Sequence, residues 1–146
     1  MKYSTGKIGR AIVARFDHGD DLLEALNALC VNENIYSGWI LLFGALARGD
    51  VVLGPEEEEL PPNPVMKEVS QPHEVVGTGT IAGMEGAPSI HLHGSFGSKD
   101  GVITGCLRNR GEVYIVIECL ILELEGVNLV REKDEKTGLH LIGFPG

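Results

Sequence analysis

Between Glu112 and Glu123 the chain offers a strand-length run that is apolar on alternate positions of both sides. Val113, Ile115, Ile117, Cys119 and Ile121 fall on one side; Tyr114, Val116, Glu118, Leu120 and Leu122 fall on the other. Successive side chains of an extended strand point to opposite faces, so both faces of this run have to be covered. The sequence holds one good candidate helix, and the second cover is therefore expected from another subunit, which argues for an oligomer. Glu118 is then a carboxylate amid apolar neighbours and needs a partner: Arg15, Arg48, a metal-bound water or a donor across a subunit boundary. It reads either as half of a structural ion pair or as a catalytic or supporting residue.

The remaining pattern places many strands against that one helix. Arg10–Phe16 is a first strand, ended by Asp17-His18-Gly19-Asp20. A helix follows with Asp20 as its N-cap and Leu22, Leu23, Leu26, Leu29 and Cys30 at three-and-four spacing, through Val31. Ile35–Ala47 reads as a buried strand containing Gly38 and Gly44, and Val51–Leu53 as a short strand. Glu56 to Pro64 forms a solvated, proline-rich loop. Further strands are predicted at Val65–Ser70, Glu74–Met84, Ser89–Gly97, Val102–Leu107 and Glu112–Glu123, with shorter ones at Leu129–Lys133 and Leu139–Ile142. Arg108-Asn109-Arg110-Gly111 reads as a hairpin turn. The expected fold class is α/β of the α+β type: one compact domain over residues 1–146, mainly antiparallel sheet packed with one principal helix. With 43% hydrophobic but only 5% aromatic residues, the core is built from Val, Ile, Leu and Ala.

Chemistry concentrates at His91-Leu92-His93 and Cys106. Residues two apart in a strand share a face, so both imidazoles point the same way. Gly97-Ser98-Lys99-Asp100-Gly101 is rich in turn residues, and Val102–Leu107 is the return strand. If Gly97 faces Val102, Cys106 comes directly opposite His93 and joins the trio; a two-residue Asp100-Gly101 turn also keeps it on that face, whereas an odd-length loop sends it to the other. Two neutral imidazoles and a thiolate form a three-donor set suited to zinc, or another divalent transition metal, with a fourth position open. The competing reading makes one histidine a partner of a backbone carbonyl and Cys106 a small buried hydrophobe. Cys30 and Cys119 lie on apolar faces of a helix and a strand and are expected in the core.

Twelve basic and twenty-one acidic residues give a net charge of −9, which repels phosphate backbones and disfavours direct nucleic-acid binding. Three cysteines do not describe a secreted disulfide framework, the N-terminal Met1–Lys7 has no apolar core of signal-peptide length, and no run reaches membrane-spanning length, so a cytoplasmic protein away from membranes is expected.

Arg15-Phe16, Gly19-Asp20, Gly38-Trp39-Ile40, Gly44-Ala45, His73-Glu74, Gly79-Thr80-Ile81, Pro88 to His93, Asp100-Gly101 and Ile117-Glu118 together carry a resemblance. Across nearly its whole length the chain resembles the plant and prokaryote conserved (PPC) domain, which in plants follows the AT-hooks of AT-hook nuclear-localised proteins. The resemblance implies a stand-alone prokaryotic member, an antiparallel sheet packed with a helix, and a homotrimer. Such members are often called DNA-binding by analogy with the plant proteins, in which the hook contacts DNA. No Arg-Gly-Arg-Pro hook occurs here. Where the family usually reads Gly-Gly-His-Leu, this chain has Thr104-Gly105-Cys106-Leu107, which keeps a zinc-compatible donor at the third position.

Three functions follow as expectations. The first is a trimeric domain holding a divalent metal through His91, His93 and Cys106, without an established enzymatic activity. The second is a DNA-associated or protein-partner-binding regulatory module without an AT-hook. The third is a metal-dependent hydrolase or lyase in which Glu118 or Glu74 moves protons. A small ligand or a protein partner is compatible with each.

Overall fold

Most of the chain outside one helix is drawn into a single, mostly antiparallel sheet. The computed structural model describes residues 1–145. The order is β1 (Lys7–Asp17), α1 (Leu22–Asn32), β2 (Ser37–Pro55), β3 (Pro64–Val69), β4 (His73–Met84), β5 (Ala87–Ser98), β6 (Gly101–Glu125), β7 (Val130–Lys133) and β8 (His140–Gly143). The strands run β3-β2-β6-β5-β4-β7-β8, with β1 on β6, and β2 also pairs β4, so β2, β6, β5 and β4 close a circuit. All pairings are antiparallel except the single β4–β7 bridge.

Two strands expected separately prove to be one in each of two places. Ile35–Ala47 and Val51–Leu53 merge into the 19-residue β2, and Val102–Leu107 and Glu112–Glu123 merge into the 25-residue β6. The Arg108–Gly111 segment is consequently not a hairpin turn. Asp50 pairs Arg108 and the next partner, Gly49, pairs Gly111, so the extra residues bulge out of a continuing strand. A second irregularity lies at Gly44–Leu46, opposite Ile117 and Val113. Gly44 has φ +143°, and a Cβ there would collide with the Val116 carbonyl oxygen, so glycine is required where the two long strands bend together.

Helix α1 is capped by Asp21, one residue later than expected. The Asp21 carboxylate accepts the Leu23 and Glu24 N–H groups, each at 3.0 Å, while Asp20 is occupied by the N–H of Asp17. Asp21 also accepts the Gly111 N–H at 3.1 Å, which fastens the helix start to the β6 bulge. Leu22, Leu26 and Cys30, one helical stripe, are completely buried against β5 and β6. The core they complete includes Ile40, Leu46, Ile81, Leu92, Phe96, Val113, Ile117 and Ile121. No helix of the described residues is long and apolar enough to cross a membrane.

The Glu112–Glu123 run departs from strict alternation. Val113, Ile117, Cys119 and Ile121 are buried, whereas Ile115 turns outward at φ +66° within the second irregularity and stays 64% exposed. Its other face is only partly covered within one chain: Tyr114 and Glu118 are exposed, and Val116, Leu120 and Leu122 half-buried. Glu118 is thus not enclosed by apolar neighbours. Arg15 stands opposite it in register but pairs with Asp17 at 3.0 Å instead.

Candidate metal centre

The β5–β6 hairpin brings the trio together in the first of the expected registers. Gly97 pairs Val102 and His93 pairs Cys106, with Ser98 opposite Gly101 and a tight Lys99-Asp100 turn. Leu92, Gly94 and Phe96 point into the core, and His91 and His93 therefore point out of the circuit. Gly105 sets the depth of Cys106: any Cβ at that position would collide with the Val52 carbonyl oxygen, so β6 lies unusually close to β2 just before the thiol.

The Nε2 atoms of His91 and His93 are 3.1 Å apart, with the rings edge-on at 71°. The donor atoms of His91, His93 and Cys106 all lie within 4.8 Å of one another. Tetrahedral zinc with ordinary Zn–N and Zn–S distances separates its ligand atoms by about 3.3–3.6 Å. The two imidazoles, at 3.1 Å, lie slightly inside that spacing. The wider separations involve Cys106 Sγ, which points toward the Leu107 carbonyl oxygen at 3.7 Å. The donor types and their placement fit a zinc-like ion.

The surroundings of His91 and Cys106 favour their neutral forms. Burial holds His91 down at about 4, helped by the charges of Arg131, Arg108 and His93, so its lone pair is free at neutral pH. Burial pushes the Cys106 thiol up, while Arg108 and Arg131 pull it the other way. Arg131 is itself lowered, first by burial and then by Arg108. Behind the histidines, His91 faces Thr80 and His93 faces Thr78 across β4. Thr80 accepts from an Arg131 guanidinium N–H at 2.6 Å; the Thr78 hydroxyl accepts the Trp39 indole N–H at 2.7 Å and donates to the Ile40 carbonyl at 3.0 Å.

The two carboxylates considered for proton transfer stand elsewhere. Glu74 is four residues along β4 from Thr78, about 13 Å away. Glu118 pairs Phe43 on β2, Phe43 pairs Val76 on β4, and Val76 lies two residues along from Thr78, the partner of His93, so Glu118 stands on a different part of the sheet. The cluster itself contains no carboxylate. Cys30 and Cys119 are core residues, as expected. Two residues at the site escaped the sequence reading. Arg108 carried a usable signal, since it lies two positions from Cys106 on one strand face, but only if the strand is continued past Leu107. Arg131 carried none, because β7 reaches the site through one non-local bridge, Gly83 to Val130.

Residues 3–125 match the Plants and Prokaryotes Conserved (PCC) domain. Among solved structures, a metal-containing protein from Archaeoglobus fulgidus is similar at 28% identity and TM-score 0.87, covering 98% of this chain and 99% of its own. A plant- and prokaryote-conserved (PPC) protein from Pyrococcus horikoshii follows at 27% identity and TM-score 0.85, with coverage of 100% and 99%. A candidate DNA-binding protein from Bacteroides thetaiotaomicron is similar at 25% identity and TM-score 0.80, covering 97% of each chain. No curated protein matches the sequence.

Proposed function

We propose, from the premise that this chain belongs to the Plants and Prokaryotes Conserved domain family, that it is a self-associating metal-binding domain. In this reading His91, His93 and Cys106 hold one divalent ion, zinc by the donor types, and leave one coordination position open. The observation that carries it is the pairing of His93 with Cys106 across a two-residue turn, which collects three soft or borderline donors on one outward face. The metal content of the Archaeoglobus relative agrees with it. Bound there, the ion supplies Lewis acidity and a site for an anionic or neutral oxygen donor.

The second element of the proposal is a homotrimer. Val13, Leu120 and Leu41 lie side by side across β1, β6 and β2, and the same row continues through Thr78 to His93. Val13 is 83% exposed in the single chain, and its neighbours Phe43 and Val76 are 57% and 69% exposed. So much adjacent apolar surface favours burial against further copies, and in this reading the metal centre lies at the margin of that contact. The likeness to the Bacteroides protein favours the alternative of nucleic-acid association. A charge of −9 opposes it. The hydrolase or lyase alternative lacks a carboxylate at the cluster to serve as a base.

Elemental analysis of the oligomer peak from gel filtration, after dialysis against metal-free buffer, tests the reading. Near-stoichiometric zinc in wild type and its loss in His91→Ala are expected. Zinc-free wild type, purified without chelator, would refute the metal assignment, and a monomer peak would refute the assembly. Retarded DNA in a gel shift at low salt would move the balance to the nucleic-acid alternative.

A further inference from the structure

Beside the cluster stand two arginines without counter-charges. Arg108 follows Cys106 by two positions on β6, and Arg131 reaches over from β7 to Thr80, the neighbour of His91. Among the described residues, neither has a carboxylate within 4.0 Å. Arg131 Nε is buried without a hydrogen-bond partner. The charges of both arginines bear on His91 and Cys106, and Arg108 bears on Arg131. Holding two guanidiniums together on one wall, one of them with a dry donor, is unfavourable unless something negative joins them.

The space for it is present. A cavity of about 520 Å³ opens between β4–β5 and β8, with His91, Arg108 and Arg131 on one side and Met84, Ile90 and Leu141 among its apolar walls. No acidic residue lines it. Its size suits a small molecule, and planar guanidiniums pair with carboxylate or phosphate oxygens through two parallel N–H donors. In a chain of net charge −9, this is a local reversal of sign.

We propose that this cavity binds a small organic anion, with its carboxylate or phosphate oxygens on Arg108 and Arg131 and its apolar body against Met84, Ile90 and Leu141. The site adjoins the proposed metal centre and rests on that reading only for the charge the ion adds. Two neutral imidazoles and one thiolate leave a divalent ion with positive charge in excess, and an acidic oxygen can satisfy the ion and the arginines together.

Calorimetric titration of the metal-loaded and the chelator-stripped protein with benzoate, phenyl phosphate and benzylamine tests this. At least one of the two anions is expected to bind and the amine is not; the better anion identifies the headgroup. Arg108→Ala and Arg131→Ala are each expected to weaken binding by about tenfold or more at unchanged zinc content. Arg131→Lys, which keeps the charge but not the fork, is expected to recover part of the loss. Arg108 is exposed, so its variant decides the matter even if the Arg131→Ala protein does not fold. Absence of binding by both anions to either form, or wild-type affinity in the arginine variants, would overturn the assignment. Arginine-dependent binding in a protein that holds no zinc would leave the anion site standing and remove the metal reading; zinc in a protein that binds neither anion does the reverse.

Discussion

Cys106 and Cys119 are nearly equally buried on the same strand, at 4% and 3% exposure, yet they sit in opposite kinds of surroundings. Cys119 lies in the apolar core near Cys30, where burial pushes the two thiols up to about 12 and about 11. Cys106 is met by two imidazoles and two guanidiniums, and the same upward push of burial is opposed by Arg108 and Arg131. Burial therefore does not distinguish a proposed metal donor from a packing cysteine. The company does, because a thiolate is accessible to chemistry only where neighbouring charges or an ion stabilise it.

The largest expected difference between the two regions is in metal binding. Cys106→Ser should weaken zinc affinity by more than the ~10–100-fold typical of residues that merely support a ligand, whereas Cys119→Ser and Cys30→Ser should retain wild-type zinc content. Competition with a chromophoric chelator measures this. Equal zinc retention in the Cys106 and Cys119 variants would erase the comparison.

Next in size is an acid effect confined to the outer cluster. His91 is depressed from 6.5 to about 4, so in the metal-free protein the unfolded chain takes up its proton first as pH falls and the native chain follows only near 4. Stability associated with His91 is thus fully present above pH 6.5 and is lost as pH falls toward 4, by up to about 3 kcal/mol. Urea denaturation of wild type and His91→Gln across that interval should show a pH slope in the first that is reduced in the second. Parallel slopes would mean that His91 is not held neutral by its surroundings.

The pattern of what was legible in the sequence follows the range of the interactions involved. The pairing of His93 with Cys106 depends only on strand alternation and the parity of one short loop, both local, and it stands in the structure. The α1 stripe Leu22, Leu26, Cys30 is equally local; its cap slipped by one residue because two adjacent aspartates compete and Asp20 bonds back to Asp17. Non-local effects were out of reach. Whether β6 stops at Leu107 or bulges and continues is decided by β2, whose Asp50 and Gly49 hold both sides of the bulge. With that continuity missed, Arg108 looked like a turn residue. Glu118 looked enclosed because the apolar residues around it in sequence were taken to be covered, and in the single chain that face is open.

A smaller effect separates the two regions by stability alone. In the core, Cys119→Ser places a hydroxyl among Leu, Ile and Phe side chains, where an unpaired donor is expected to cost about 1–3 kcal/mol, and Cys30→Ser the same.

The smallest expected effect is the most discriminating, because it isolates the surroundings from the metal. In chelator-stripped protein, Cys106→Ser exchanges the same atoms at the same depth as Cys119→Ser, but the new hydroxyl meets polar partners. The Leu107 carbonyl already receives the thiol at 3.7 Å, and the imidazoles lie within the 4.8 Å cluster, so a hydroxyl there is able to donate and accept. The destabilisation should stay below about 1 kcal/mol, as expected when a buried polar group keeps a partner. Paired urea melts of the two metal-free variants read this difference directly. A cost at Cys106 as large as at Cys119 would show that the outer pocket is dry and apolar in practice, and the contrast between the two cysteines would then reduce to the metal alone.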